Sequence, residues 1–141
     1  MKKIIKTILG ICMSLIVVFC TSFVVKAEYT TTGYSTNRCY SICGQYMGAA
    51  CLTCDFSWSE GNYVTALSVN TYFSKNHNHN YTCYFEDIRK TESTSNSFAS
   101  GWCNYLTSDN VCYEVGYLEV VCDVYGDTVD NGYYEFRECQ H

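Results

Sequence analysis

Hydrophobic and polar positions alternate along much of the second half of the chain. In residues 63–72 the odd positions form one face and the even positions the other, and the odd set is better suited to a core. Similar strand patterns cover residues 81–88, 98–106 and 133–139, and residues 111–125 carry the longest one. These segments predict a series of short β-strands.

Polar segments separate the predicted strands. Residues 75–80 form a polar turn, residues 89–97 a serine- and threonine-rich loop or edge, and residues 107–110 a second turn. Asp130-Asn131-Gly132 is a strong hairpin signal, because an Asn-Gly pair readily adopts the positive φ angles of a tight turn. Residues 28–38 are expected to form an extended arm or a first edge strand. Strands and turns at this spacing predict an all-β fold, a small antiparallel β-sandwich or barrel.

The first 27 residues have the three parts of an export signal. Lys2, Lys3 and Lys6 are followed by an almost wholly apolar run and then by Val25-Lys26-Ala27, which places small or short residues where a signal peptidase cuts. We predict a signal peptide over residues 1–27, cleaved after Ala27, with an uncleaved membrane anchor as the alternative. The leader is similar to those of Gram-positive bacteria. The protein is therefore expected to be secreted and extracellular.

We divide the remainder into an N-terminal arm with a cysteine cluster, residues 28–60, and an antiparallel β region, residues 61–141, which together form one domain. Glycine and alanine within the cysteine cluster indicate tight backbone packing rather than a long helix. The segment beyond residue 27 holds fourteen acidic but only five cationic residues, so its formal net charge is −9. This charge argues against nucleic acid and anionic membranes as partners, and it suits a cationic partner, divalent metal ions or simple solubility.

Nine cysteines follow the predicted cleavage point, and an oxidising compartment favours disulfides between them. Folding around Thr107-Ser108 predicts the pair Cys103–Cys112, and folding around Asp130-Asn131 predicts the pair Cys122–Cys139. The simplest arrangement of the early cysteines is nested, with Cys39–Cys54 and Cys43–Cys51. This leaves one candidate unpaired thiol, Cys83, which is either buried in the core or available to link two chains in a disulfide-bonded homodimer.

The sequence gives little support for metal binding or catalysis. Cys39, Cys43, Cys51 and Cys54 match a zinc site by ligand count, but exported thiols usually oxidise, so we interpret them as structural. His77 and His79 are weak candidates for copper or zinc ligands, and a hydrated turn explains them equally well. No hydrolase, metalloprotease or phosphate-binding motif is present. We predict no catalytic residue, no cofactor and no enzymatic activity.

The aromatic content is the most useful functional signal. Fourteen tyrosines, together with Trp58 and Trp102, exceed what a small core easily buries, and tyrosine is enriched in binding surfaces. Tyrosine is also a good strand residue, which is the alternative explanation. The first hypothesis is an extracellular binding or structural surface module whose partner the sequence does not name.

Residues 64–107 contain a strand, a polar turn with the histidines of Ser74-Lys-Asn-His-Asn-His79, a second strand, a hydroxyl-rich loop and Ser100-Gly-Trp102. This succession resembles the secreted β-sandwich bacteriocins of the lactococcin 972 type over about a third of the chain, although that family lacks cysteines. The resemblance implies the alternative hypothesis, a secreted antimicrobial or toxin-like effector.

Overall fold

The computed structural model describes residues 26–41, 44–76, 81–108 and 112–139, with the backbone alone for Cys112 and residues 136–139. The predicted signal peptide, except for Lys26 and Ala27, lies outside the described residues, as do Cys43, His77 and His79. Within the described ranges the protein consists of eight β-strands joined by turns, which confirms the all-β prediction. The strands are β1 (Tyr29–Tyr40), β2 (Tyr46–Ser59), β3 (Tyr63–Lys75), β4 (Thr82–Lys90), β5 (Phe98–Ser108), β6 (Cys112–Asp123), β7 (Thr128–Asp130) and β8 (Tyr133–Cys139).

The strands form two antiparallel sheets. β1, β2 and β3 make a three-stranded sheet in that order, and β4, β5 and β6 begin a five-stranded sheet. Both β7 and β8 pair with the free edge of β6, β7 along its C-terminal part and β8 along its N-terminal part. The sheets face each other with β1 near β6 and β3 near β5, as in a sandwich.

The core lies between the sheets and is built from alternate residues of each strand. Small inward side chains are frequent, because cysteine, alanine and glycine occupy many of these positions in β1, β2, β5 and β6. Tyr105, Phe56, Met47, Leu52 and Leu118 are the largest apolar or aromatic side chains that are almost fully buried. Large and small residues facing one another allow the two sheets to interdigitate.

β2 is a long, buried strand where the sequence predicted a compact cysteine cluster. It is the central strand of its sheet, so side chains of β1 and β3 cover its outer face while the second sheet covers its inner face. Ala49 and Cys51 on the outer face are therefore nearly as buried as Ala50 and Leu52 on the inner face. The expected tight packing around the glycine and alanine residues is present, but in a strand.

The predicted core face of β3 is wrong in its first half. Val64 and Ala66, both even positions, are buried, and Val69 and Phe73 pack against the core further along. The parity changes because Leu67 is an extra residue in the register between β2 and β3 and remains 49% exposed. A single bulge thus reverses which set of side chains faces the second sheet.

The last hairpin turns earlier than predicted. Asp123 closes the turn between β6 and β7, since its carboxylate accepts hydrogen bonds from the backbone N–H of Tyr125 at 2.8 Å and of Asp127 at 3.0 Å. Gly126 supplies the positive φ of 85° that the turn needs. The predicted turn around Asp130-Asn131 is instead a break between β7 and β8, both of which run along β6.

The two leucines of the first sheet provide a direct measure of core packing. Leu52 is fully buried, whereas Leu67 is half exposed at the bulge. We expect Leu52→Ala to lower the free energy of unfolding by about 2–5 kcal/mol, because it removes a buried side chain and leaves a cavity. Leu67→Ala, the matched control, should change it by about 0.5 kcal/mol. Denaturant unfolding followed by tyrosine and tryptophan fluorescence measures both, and equal losses would contradict this assignment of the core.

Candidate binding surface

The outer face of the five-stranded sheet is rich in aromatic and apolar side chains. In β5 the inward positions alternate with outward Phe98, Trp102 and Leu106, so the strand carries large apolar residues on its solvent side. Phe98 is 60% exposed, and Trp102 and Leu106 are half-buried. A sheet face in contact with water normally carries polar residues, and a concentration of large apolar ones indicates a surface used for contact.

Cross-strand register arranges the outward residues in transverse rows. The central row contains Glu86, Asn104, Tyr117 and Tyr133, each directly opposite the next across β4, β5, β6 and β8. Side chains that are directly opposite on one face lie about 4.5–5.5 Å apart at their Cβ atoms. The row therefore presents two neighbouring aromatic rings at one end and a carboxylate at the other.

Two further rows flank the central one. The first contains Arg89, Trp102 and Glu119, and the second contains Tyr84, Leu106 and Val115. Successive rows are two residues, or about 6.6–6.8 Å, apart along β5 and β6. In β4 a bulge lengthens the step between the rows of Glu86 and Arg89 to three residues. We name the three rows together the aromatic face.

Acidic residues interact with the two adjacent tyrosines, Tyr117 and Tyr133. The ring centroids of Tyr117 and Tyr133 are 5.4 Å apart, with the planes tilted by 41°. The Tyr133 hydroxyl donates a hydrogen bond to Glu135 at 3.3 Å. Burial, followed by the charge of Glu119, raises the pKa of Tyr117 to about 12, so its hydroxyl stays protonated and available as a donor.

A shallow cavity of about 320 Å³ opens on the aromatic face. Glu86 and Glu135 line it from β4 and β8, while Asn104, Leu106 and Val115 line it from the central strands, together with Tyr105. An apolar floor between two carboxylates and an amide suits a ligand with an apolar body and a positively charged or hydrogen-bonding group.

The outer face of the three-stranded sheet has a different chemistry. Asp55 in β2 accepts a hydrogen bond from Thr32 of β1 at 2.7 Å and another from Ser68 of β3 at 2.7 Å, so one carboxylate links all three strands. Hydrogen bonds from Ser68 and Thr32 lower the pKa of the Asp55 carboxyl below its ordinary value. This is a hydroxyl-rich, solvated face, with Tyr34 and Tyr72 among its exposed aromatics.

A buried polar cluster lies at one end of the core but is poorly suited to catalysis. The hydroxyl of Tyr105 donates to the Glu114 carboxylate at 3.1 Å, and both residues are almost fully buried. Burial and the charge of Glu114 raise the pKa of the nearby Cys39 thiol to about 12. A nucleophilic cysteine needs a lowered pKa and access to substrate, and Cys39 has neither.

The register corrects the disulfide pairs predicted from sequence. Cys103 lies opposite Leu118 and Cys122 opposite Thr128, so neither faces its predicted partner. Cys112 and Cys139, one from each predicted pair, lie directly opposite each other in β6 and β8. The Cys122–Cys139 prediction fails because it placed the last turn at Asp130 instead of at Asp123. The Cys103–Cys112 prediction fails because β5 continues through Thr107 and Ser108, where the turn was expected.

The predicted Cys39–Cys54 pair of the nested arrangement is also wrong, whereas the Cys43–Cys51 pair includes Cys43, which lies outside the described residues. Cys39 lies opposite Gly48, and Cys54 lies opposite Gly33, six positions further along the β1–β2 ladder. Six residues of strand span about 20 Å, beyond the reach of a disulfide.

The predicted zinc ligands do not converge on one point either. Cys51 shares the outer face with Tyr72, its partner in register, whereas Cys54 is packed in the core. Among the residues that the structure describes, no group of three or more His, Cys, Asp or Glu side chains is arranged to hold a metal ion.

Cys83, the predicted unpaired cysteine, packs partly buried against the core cluster. Burial, followed by the charges of Cys39 and Cys103, raises the pKa of its thiol to about 12. The thiol is therefore unreactive at neutral pH in the folded protein. That Cys83 stays unpaired is still a prediction.

Comparison with known protein families, with curated proteins and with solved structures finds no match to this chain. In the described part of the chain, no helix is long and apolar enough to cross a membrane. Function is therefore inferred from the geometry of the chain's own residues.

The Asp55 link gives a pH prediction. Because its pKa is lower in the folded protein, ionised Asp55 stabilises the fold above its ordinary pKa, and this contribution is lost as the pH falls through the folded pKa. Replacing both donors, by Thr32→Val with Ser68→Ala, should return the pKa towards about 3.9. Carboxyl NMR titration measures it, with Thr30→Val as the control that leaves both donors in place. An unchanged Asp55 pKa in the double variant would contradict the hydrogen-bond assignment.

Proposed function

We propose that this protein is an exported, non-enzymatic binding module that captures its partner on the aromatic face. The observation that carries the proposal is the transverse arrangement of Trp102, Tyr117 and Tyr133 on one sheet face beside a shallow cavity. Tyrosine and tryptophan supply large contact areas at low entropic cost and dominate the energetics of many interfaces.

The charge distribution favours a cationic partner. Glu86, Glu119 and Glu135 lie among or beside the aromatic rings, and the chain beyond residue 27 is strongly acidic. Carboxylates attract ammonium and guanidinium groups, and aromatic rings bind the same groups through their faces. We therefore assign the partner to the class of lysine- or arginine-rich polypeptides, whose aliphatic stems would also fit the apolar cavity floor.

Export is the second part of the proposal, and it rests on the leader sequence. Lys2, Lys3, the apolar run and Val25-Lys26-Ala27 form an export signal whose cleavage would leave Glu28 at the N-terminus. The first described strand, β1, starts just after this point, at Tyr29. Cleavage after Ala27 would therefore leave all eight strands intact.

Disulfide bonds in the exported domain are the third part. Cys112 and Cys139 are directly opposite in adjacent antiparallel strands, a separation that a disulfide tolerates. Such a bond would fasten β8, the last strand, to β6. A disulfide of this kind typically contributes about 2–4 kcal/mol to the free energy of unfolding.

Export has a simple test. We expect the protein recovered from the culture medium of an expressing Gram-positive host to begin at Glu28, as measured by N-terminal sequencing and intact mass. Ala27→Tyr should suppress cleavage, because a bulky residue replaces the small one next to the cut. Accumulation of the unmodified chain in the membrane fraction, with residue 1 retained, would contradict the proposed cleavage.

Binding can be tested with two matched tyrosines. Tyr84 on the aromatic face is 60% exposed, and Tyr34 on the opposite face of the sandwich is 63% exposed. We expect Tyr84→Ala combined with Trp102→Ala to weaken binding of an arginine- and lysine-rich peptide about tenfold or more, since each aromatic contact is worth about 1 kcal/mol or more. Tyr34→Ala should leave the affinity unchanged. Isothermal titration calorimetry provides the dissociation constants.

Salt dependence distinguishes a charged partner from a neutral one. If carboxylates contribute, Glu86→Gln with Glu135→Gln should weaken peptide binding, and the loss should shrink as salt screens the interaction. Equal effects of the variants on the two faces, or no measurable binding of cationic peptides, would contradict the assignment of partner class.

A further inference from the structure

Two buried cysteines, both free thiols in this structure and neither predicted to pair with the other, lie on the inner faces of opposite sheets. Cys54 comes from β2 in the three-stranded sheet and Cys122 from β6 in the five-stranded sheet, and both are fully buried. Each sulfur has only a weak local contact with the backbone carbonyl of the following residue, at 3.8 Å for Cys54 and 3.5 Å for Cys122.

The Cys54 sulfur packs against Gly101 of β5, which is a neighbour of Cys122 in β6. A Cβ atom built on Gly101 would lie 2.7 Å from Cys54 Sγ, so the sulfur occupies the space that a side chain there would take. Ala99 is directly opposite Cys122 in the β5–β6 ladder, which makes Gly101 the diagonal neighbour of Cys122 on the same inward face. The side chains beside Cys122 on β5 are thus a methyl group and a hydrogen.

The two sheets also approach each other closely where β1 faces β6, beside Cys54 and Cys122. Gly33 is directly opposite Cys54 in the β1–β2 ladder, and a Cβ built on it would lie 2.5 Å from Val120 Cγ2. Val120 is the inward residue just before Cys122 on β6. The two sheets therefore approach closely on both sides of Cys54, because glycine lines both approaches.

The electrostatics of the two thiols agree with this proximity. Burial is the main cause that raises the pKa of Cys54 to about 12, and the charges of Asp55 and then Cys122 add to it. Burial and neighbouring aspartates raise the pKa of Cys122 to about 11. Cys103, which lies on the inward face of β5, has its pKa raised by burial alone. Cys122 is thus the cysteine whose charge acts on Cys54.

We propose that Cys54 and Cys122 form a disulfide that joins the two sheets through the core. This inference rests on the proposed export, because it needs an oxidising compartment. Two thiols lose two protons and two electrons as the sulfur–sulfur bond forms. A disulfide oxidant, such as oxidised glutathione, accepts them and is released as two thiols.

The raised pKa values and complete burial determine when the bond forms. Exchange begins with attack by a thiolate, and in the closed sandwich both groups are protonated and inaccessible to the oxidant. Oxidation therefore takes place in the incompletely folded chain, before the sheets close. Once formed, the bond is shielded from reductants until the protein unfolds.

Peptide mapping tests the inference without depending on export. The full chain is recovered from whichever cell fraction contains it, unfolded with reductant, and refolded in reduced and oxidised glutathione. After alkylation without reduction, we expect a cross-linked peptide joining Cys54 to Cys122, which disappears on reduction. Alkylated Cys54 and Cys122, or either one linked to Cys103 or Cys83, would overturn the proposal. The cellular fraction in which the protein is found tests export separately.

Variants provide a second readout. Cys51, three residues from Cys54, is buried on the outer face of the same strand and serves as the control. Cys51→Ser should leave the Cys54–Cys122 peptide in place, whereas Cys54→Ser should leave Cys122 alkylated. If native wild-type protein loses the cross-link to glutathione as rapidly as the unfolded protein does, the buried location of the bond is wrong.

Discussion

The two sheets approach each other so closely at Gly33 and Gly101 that no β-carbon would fit at either position without displacing a neighbour. The close approach explains why so many inward positions hold cysteine, alanine or glycine, while a few large residues such as Phe56 and Leu118 fill the remaining volume. It also determines what the core can do chemically. Cys54 and Cys122 lie on the facing inner sides of the two sheets, and the side chains of Tyr105 and Glu114 are almost fully shielded from solvent.

Alternation predicted β3 to β6 because each has one face towards the core and one towards solvent or half-buried neighbours. It did not identify β2, since a strand covered on both faces reads as a continuous run of small and apolar residues. Alternation also failed within β3, where one extra residue at Leu67 changes which positions point inwards. A bulge is a property of two paired strands, so the pattern of one strand cannot reveal it.

The candidate binding surface was also only partly predictable, because it depends on how neighbouring strands pair. The abundance of tyrosine indicated a binding surface, but the rows that unite Glu86, Asn104 and Tyr117 depend on cross-strand register. Register also determines which cysteines are opposite each other, and the prediction placed two turns wrongly, one at Thr107-Ser108 and one at Asp130. Asp-Asn-Gly has strong turn chemistry, yet here Asn131 continues the ladder by donating its N–H to the Glu119 carbonyl at 2.9 Å.

Asp130, displaced from its expected role as a turn residue, instead ties the end of the chain to its beginning. Its carboxylate accepts hydrogen bonds from the Ser35 hydroxyl at 2.6 Å and from the Thr36 N–H at 3.3 Å, across 95 and 94 residues of sequence. β1 leaves the ribosome long before β7 does, so the Ser35 hydroxyl and the Thr36 N–H gain this partner only after most of the chain has been made. Contacts of such long sequence separation slow folding, so this link between the two sheets forms late.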